Sequence, residues 1–209
     1  MKKFKLFAAT AVMAVCVALP KNAEAQKFQG QIVPFGAAGY SVAGIIFTAI
    51  SDGLNAVDVK SSKTPVIIGG LDYGVSDRFS IGAVYTYQGL TAKYNSYYAD
   101  TSNVLITGDF KDVLSRQSIG LRPLFHFGDN DDLDVYGGAR FSYVWWNYSS
   151  SRTDVDWTNI FEGFGSPIKF QAVFGARYFF SEPVGIGMEF AFGPTYYMNI
   201  GIHARFGGN

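Results

Sequence analysis

The sequence predicts an all-β protein, a closed antiparallel eight-stranded up-and-down transmembrane β-barrel that comprises residues 26–209. Three observations predict this class. An export signal precedes the fold, and no later apolar run is long enough for a membrane-spanning helix. Apolar and polar residues alternate in segment after segment, as in β-strands. The connections between these segments are alternately short and long, as in a barrel with periplasmic turns and longer outer loops.

Residues 1–25 have the features of a secretory signal peptide. Three lysines lie among the first five residues, and an apolar core follows at residues 7–19. A retained membrane helix needs roughly 20 apolar residues, which is more than this core supplies. Positions 23 and 25 are both alanine, as a signal peptidase requires. We therefore expect cleavage before Gln26, in preference to an anchor that is kept.

A lipoprotein signal at Cys16 is the other alternative, and the bulky Val15 before it disfavours that alternative. Cleavage leaves a chain without cysteine, so it leaves no disulfide and no cysteine metal site. That chain has 13 basic and 16 acidic residues, which argues against a nucleic-acid partner. No cofactor and no metal site are expected.

The alternation predicts eight strands, of which the first is the least regular. Ten strands stay possible if the long loops extend as hairpins. The predicted strands are the segment around Gln29–Val42, then Val66–Ser76, Phe79–Tyr87, Gln117–Phe127, Leu133–Trp145, Ile168–Phe180, Val184–Phe192 and Tyr196–Phe206.

The connections are predicted to alternate between the two ends of the barrel. Short turns lie at 76–78, 128–132 and 181–183, and a brief connection lies near 194–195. Long polar segments rich in Tyr and Ser lie at 43–64, 94–115 and 148–165.

The polar face of the strands predicts a lumen and not a water-exposed surface. Glycines alternate there with long arginines, which fits a crowded interior where large and small side chains interlock. A soluble barrel would instead turn its apolar face inward. The predicted charge network of the lumen consists of Asp72, Arg116, Arg122, Arg140, Lys169, Arg177, Glu189 and Arg205.

The apolar face is aromatic at both strand ends, as in the two interfacial girdles of a membrane barrel. One predicted girdle is Phe79, Phe125, Phe127, Tyr178, Phe180 and Phe206, and the other is Tyr85, Tyr87, Tyr143, Trp145 and Tyr196.

The last strand resembles the C-terminal assembly signal of outer-membrane barrels through Asn199, Gly201, Ala204 and Phe206, although residues 207–209 follow the aromatic residue. The segments Gly69–Tyr87 and Gly175–Phe180 are similar to the small OmpX-like and OmpA-like barrels of the outer membrane β-barrel domain family. The resemblance implies a bacterial outer-membrane location, contact with outer-membrane lipid and insertion by the barrel-assembly machinery. It implies no particular activity, because this fold carries many functions.

Enzymatic activity is not expected. An acyl-chain enzyme, the most distant alternative, needs a nucleophile or base near the bilayer, usually together with a histidine. His126 and His203 are the two histidines, and both are expected at the periplasmic end of the inward face. Ser118 is on the same face as His126 but eight residues away, about 26 Å along a strand.

Two readings of the lumen remain open: a salt-bridged plug, and a small gated channel that favours anions. Eight strands leave room for side chains to fill the interior, which favours the plug.

The predicted role is structural, or binding of an unidentified extracellular ligand by the outer loops. Tyr, Ser, Asn and Trp are typical of adaptable binding surfaces. The candidate binding residues are Tyr94, Tyr97, Tyr98, Trp157, Phe161 and Phe164.

Overall fold

The computed structural model describes residues 28–41, 43, 57–99, 105–128, 130–151, 166–181 and 183–208. Within these ranges no helix is both long and apolar enough to cross a membrane. The strands are β1 (Ile32–Tyr40), β2 (Val57–Lys63), β3 (Val66–Ser76), β4 (Phe79–Ala99), β5 (Leu105–His126), β6 (Leu133–Ser150), β7 (Ile168–Phe179), β8 (Val184–Phe192) and β9 (Met198–Ala204).

The strands form one closed antiparallel wall. Each strand from β3 to β8 pairs with the next strand along the chain, and β1 pairs with both β3 and β9. β2 and β3 lie end to end along β4, so together they occupy one position in the wall. The described strands therefore fill eight positions, which confirms the predicted fold. The long hairpin of β4 and β5 extends the wall at its end and adds no further position to make ten strands.

The break between β2 and β3 is closed by Thr64. Its backbone N–H donates to the Gly89 carbonyl over 2.9 Å, and the Gly89 N–H donates to Thr64 Oγ1 over 2.9 Å. Pro65 follows, and a proline cannot donate to a strand ladder. The threonine hydroxyl thus keeps β4 paired across the break.

The apolar face of the wall points outward and the polar face points inward, as predicted. Charged side chains are among the most deeply buried ones, with Arg122, Arg140 and Arg177 at most 1% exposed. Large apolar side chains are exposed on strand after strand. They include Ile67, Leu71, Tyr73, Phe79, Ile81, Tyr85, Tyr87, Ile119, Leu121, Phe125, Phe141, Tyr143, Phe170, Tyr178, Ile186, Phe190, Ile200, Ile202 and Phe206.

An apolar layer also lies inside the lumen, among the charged groups. It is formed by Phe35, Val66, Ile68, Val84, Leu124, Tyr136, Val173, Ala191 and Tyr196. The Phe35 ring lies against Gly70, where even a Cβ atom would overlap the ring. Glycine is required here because a larger side chain would leave no room for the ring.

The turn at 77–78 and the strand ends near residues 127–128, 130–132 and 180–181 lie at one end of the barrel, here called the short-turn end. The opposite end, where β4 meets β5 and β8 meets β9, is the long-connection end. The phenylalanines of the first predicted girdle lie toward the short-turn end, and Tyr85, Tyr87, Tyr143 and Trp145 lie toward the long-connection end.

Two predictions are wrong, the bounds of the long loops and the outward position of Tyr196. The predicted loop 94–115 is mostly paired sheet, because β4 continues to Ala99 and β5 begins at Leu105. Likewise, β2 lies within the predicted loop 43–64, and β6 includes 148–150. In this part of β4 the outward face is polar, at Thr91 and Lys93 for example, and the apolar Leu90, Ala92 and Tyr94 face inward. The alternation is therefore reversed relative to the apolar belt.

Tyr196 was expected in the outward girdle, but it is fully buried in the lumen. It lies in the irregular stretch 193–197 before β9, where side chains no longer alternate between two faces.

Candidate functional site

The centre of the lumen holds a compact ion-pair network on β3, β5, β7 and β8. Asp72 accepts hydrogen bonds from Nε and Nη2 of Arg122, both over 2.8 Å, and from Nη2 of Arg177. Nη1 of Arg122 donates to Oε2 of Glu189 over 2.9 Å. A buried charge is tolerated when it is paired and hydrogen-bonded, and both conditions hold here.

Aromatic side chains enclose this network. Glu189 also accepts hydrogen bonds from the hydroxyls of Tyr136, over 3.0 Å, and Tyr196. The Arg122 guanidinium lies 4.4 Å from the Phe35 ring centre, and that of Arg177 lies 4.4 Å from the Tyr136 ring centre. The rings add cation–π stabilisation and close the lumen around the charges.

A second buried cluster lies toward the short-turn end. Ser80 Oγ lies 2.8 Å from Nε2 of His126, and Nδ1 of His126 lies 2.6 Å from Oδ1 of Asp134. Sequence reasoning did not find Ser80, because it meets His126 across a strand pair, which spacing along one strand does not reveal. The order of the three groups is that of a serine hydrolase triad.

This cluster has no room for a substrate. Ser80, His126 and Asp134 are all at most 2% exposed, and the Phe28 ring stacks on the imidazole with 4.0 Å between ring centres. Phe28 is held by a turn whose Gly30 N–H donates to the Gly74 carbonyl over 2.9 Å. The geometry supports a structural hydrogen-bond chain that is capped by this turn.

The long-connection half of the lumen holds Arg116 and Arg140, which have only uncharged acceptors. Arg116 donates to the carbonyls of Pro194, over 3.0 Å, and Thr195, and over 3.1 Å to Oε1 of Gln88. Nη2 of Arg140 donates to Oε1 of Gln171. Nε and Nη1 of Arg140 are buried and have no partner within the described residues.

The remaining predicted network residues lie at the rims. Lys169 is half-buried near the long-connection end. Arg205 is half-buried at the short-turn end, where Nη1 donates to the Asp131 carbonyl over 2.6 Å and the guanidinium packs on Phe179. The structure therefore brings together Asp72, Arg122, Arg177 and Glu189, sets Arg116 and Arg140 beside them, and separates Lys169 and Arg205 from both groups.

The residues of the proposed assembly signal lie on or just after β9. Asn199 is buried and its Nδ2 donates over 3.4 Å to Glu189, while Phe206 is outward and exposed. Gly201 faces Ala37 across the β1–β9 pair, where a Cβ atom would overlap the Ala37 methyl group. Ala204 ends the strand.

Beyond the apolar belt, the wall continues as the extended sheet, defined here as β2 with residues 90–99 of β4, 105–114 of β5 and 147–150 of β6. Its inward face centres on the buried Asp112 carboxylate. That carboxylate accepts hydrogen bonds from Tyr94 over 2.9 Å, Tyr148 over 3.1 Å and Ser150 over 2.5 Å. Burial raises the pKa of the Tyr148 hydroxyl, and the negative Asp112 raises it further.

Of the other candidate binding residues, Tyr97 and Tyr98 lie in β4, and Trp157, Phe161 and Phe164 lie outside the described residues. Tyr94 is buried against Asp112, so its hydroxyl is engaged in the sheet.

The outward face of the extended sheet carries a row of three lysines. Lys60 pairs with Lys93, and Lys93 pairs with Lys111, so like charges are opposite one another on three neighbouring strands. None of the three forms an ion pair with any residue that the structure describes. They line a groove of about 420 Å³, together with Asp58, Tyr94, Asn95, Asp109 and Phe110.

The geometry defines a class, a closed eight-stranded β-barrel with an apolar exterior and a charged, filled lumen. Neither a protein-family model nor a curated protein matches the chain. Among solved structures, the outer membrane protein OprG of Pseudomonas aeruginosa matches at 12% identity and a TM-score of 0.48, covering 88% of this chain and 99% of its own.

Two further solved structures are similar. The N-terminal β-barrel domain of Pseudomonas aeruginosa OprF matches at 12% identity and a TM-score of 0.44, covering 85% of this chain and 98% of its own. The Yersinia pestis outer membrane protein Ail matches at 14% identity and a TM-score of 0.42, covering 85% of this chain and all of its own.

Proposed function

We propose that this protein is a non-enzymatic bacterial outer-membrane barrel with a closed lumen, which uses its extended sheet to bind a negatively charged partner outside the cell. The lysine row on that sheet is the observation that carries the proposal. The apolar belt supports the membrane location, and the filled lumen supports a closed barrel.

The exterior supports the membrane location. On β4 the outward residues from Phe79 to Tyr87 are apolar or aromatic, and their exposed fraction is 39% at both ends of this run. This run of nine residues matches the roughly 9–11 residues with which a tilted strand crosses a bilayer. Outer-membrane lipid and the barrel-assembly machinery are then the expected partners of the wall.

The filled lumen supports a structural plug over the alternative, a small gated channel. Arg122 and Arg177 bridge carboxylates that project from different sides of the wall, and their side chains are at most 1% exposed. The sealed Ser80–His126–Asp134 cluster likewise supports a role without catalysis.

The lysine row supports binding of an anionic partner. Directly opposed like charges destabilise a pair of strands unless a counter-charge lies between them. Asp58 and Asp109 line the same groove as the three lysines, so the groove keeps one net positive charge. That charge attracts an anionic partner, and the attraction weakens as salt screens it. A glycan that carries phosphate or sulfate groups supplies that charge.

The first test is planar-bilayer conductance of the folded, heat-modifiable protein. We expect a silent bilayer. Regular openings would contradict a closed lumen and favour the channel, and Arg122 and Arg140 would then be the residues to neutralise.

The second test measures retention on immobilised dextran sulfate in a rising salt gradient. We expect Lys60→Gln, which removes one charge of the row on β2, to elute at clearly lower salt than the unaltered protein. Lys63→Gln is the matched control, because Lys63 is exposed on the same strand but packs against Tyr40 outside the row. Equal losses in both variants would show general charge attraction and contradict the assigned surface.

A further inference from the structure

We propose that the long-connection half of the lumen is a binding site for one small inorganic anion, held by Arg140 and Arg116. This site lies inside the barrel and is separate from the lysine row on the outward face. The anion site does not depend on whether the extended sheet binds a partner.

The pairing of the buried charges leaves two arginines without a carboxylate. Four arginines are buried in the described lumen, Arg116, Arg122, Arg140 and Arg177, and so are the four carboxylates Asp72, Asp112, Asp134 and Glu189. Asp72 and Glu189 are both engaged by Arg122, and Asp72 and Asp134 by Arg177. Asp112 is engaged by the hydroxyls of Tyr94, Tyr148 and Ser150, so no carboxylate of the described residues forms an ion pair with Arg116 or Arg140.

The two guanidinium groups are close enough to repel each other. Neither has an ion-pair partner among the described residues. The nearby carboxylate of Glu189 already accepts hydrogen bonds from Arg122, Tyr136, Tyr196 and Asn199. A buried cation without a counter-ion is costly, and the cost rises when a second cation lies beside it.

Unsatisfied donors mark the place of the ligand. Nε and Nη1 of Arg140 are buried without a partner in the described part of the chain, and so are the hydroxyls of Ser142 and Thr195. All three residues are at most 3% exposed. Ser142 follows Arg140 by two residues on the inward face of β6, and the carbonyl of Thr195 accepts from Arg116. Buried polar groups are rarely left without a partner, so the two free N–H groups of Arg140, with these two hydroxyls, indicate a bound group.

The chemistry of these atoms selects an anion. A guanidinium offers donors only, and a hydroxyl can turn its hydrogen toward a negative ligand. The other acceptors nearby, Gln171 Oε1 and the Thr195 carbonyl, are already taken by Arg140 and Arg116. A cation would find no free carboxylate, whereas a halide or a small oxyanion would meet charge-assisted donors.

The backbone fixes the site before the anion binds. Arg116 holds the turn between β8 and β9 through its two carbonyl contacts, and Gln171 Nε2 donates to the Tyr196 carbonyl over 3.1 Å. The Arg140 guanidinium lies 4.1 Å from the centre of the Tyr196 ring, which orients it without giving Nε or Nη1 an acceptor.

The test is thermal unfolding of the full chain in zwitterionic detergent at constant ionic strength. Sodium gluconate, whose anion is large, is replaced stepwise by chloride, phosphate or sulfate. We expect the midpoint temperature to rise by several degrees and to saturate with at least one small anion, because a ligand of the folded state alone stabilises it by mass action. A response to chloride alone identifies a halide site, and a response to phosphate or sulfate identifies an oxyanion site.

Arg140→Met should abolish the saturable rise while it leaves the midpoint in gluconate equal or higher. Lys93→Gln is the control that removes a surface cation, and it should keep the rise unchanged. Should Arg140→Met fail to fold, Thr195→Val and Ser142→Ala should each raise the anion concentration at half-effect several-fold. The proposal is overturned by a linear or absent response in the unaltered protein, or by the same saturable rise in Arg140→Met or in both hydroxyl variants.

Discussion

Both halves of the lumen contain buried arginines, but the atoms that accept hydrogen bonds from these arginines differ between the two halves. Toward the centre and the short-turn end, Arg122 and Arg177 are bound to carboxylates. In the long-connection half, Arg116 and Arg140 face carbonyl and amide oxygens and each other. Both pairs are buried to the same degree, so burial does not distinguish them. The partner atoms distinguish them. Arg122 and Arg177 close the barrel through their carboxylates, whereas Arg116 and Arg140 are available to a ligand.

The largest effect is expected from Asp72→Ala, which leaves both Arg122 and Arg177 without their shared carboxylate. Removing one partner of a buried ion pair costs roughly 3–5 kcal/mol. We expect a loss of that size in the free energy of unfolding, measured by urea titration of the heat-modifiable folded form. Arg140→Gln in anion-free buffer should cost far less, and equal losses would erase the distinction between the halves.

The cap at the short-turn end should be the next most sensitive feature. Phe28→Ala removes the ring that covers His126, and truncation of a buried phenylalanine costs about 3 kcal/mol. Phe125→Ala, which changes a phenylalanine on the outward face, is the control in the same urea titration. A loss no larger than the control's would mean that the turn at residues 28–31 does not cap the barrel.

In the extended sheet, Tyr148→Phe tests the buried Asp112 carboxylate, which accepts hydrogen bonds from the hydroxyls of Tyr94, Tyr148 and Ser150. Loss of the hydrogen bond to Asp112 should cost about 1 kcal/mol near neutral pH. The pKa of Tyr148 is raised above its ordinary value of 10, so its contribution is complete below pH 10 and is lost as the pH rises above it. The variant should therefore show a shallower alkaline decline in unfolding free energy, and an identical decline would contradict this assignment.

The smallest effect is expected at the lysine row, and it has the opposite sign. Lys93→Gln removes the central charge, so it should stabilise the protein by about 0.2–1 kcal/mol at low salt. The gain should shrink in high salt because screening already weakens the repulsion. Thermal unfolding at two salt concentrations measures it, and a loss of stability at low salt would show that Lys93 has a partner.

The wall of the barrel was predictable because a strand with one lipid-facing side shows a period of two in hydrophobicity. That signal depends on the environment and not on pairing. Where β4 leaves the apolar belt, Lys93 and Asn95 face outward and the apolar Leu90, Ala92 and Tyr94 face inward, so the outward apolar signal ends although the strands remain paired. The same paired strands therefore resembled a loop in the sequence.

The candidate site was only partly predictable. Alternation identified which charged residues point inward, including Arg122 and Arg140. It could not show which of them meet, because contacts across the lumen depend on the register and tilt of all the strands. The contact of Ser80 with His126 spans 46 residues, and Tyr196 lies where alternation is lost.

The pairing of the first and last strands has a consequence for how the chain could be rearranged. Ile32 and Phe206 exchange two backbone hydrogen bonds of 2.8 and 2.9 Å, and Gly208 lies beside Gln31. The path through the wall is therefore a ring in which no strand has to come first. A circular permutant that joins residue 208 to residue 28 by a short linker and is opened at the exposed turn 77–78 should regain the same barrel.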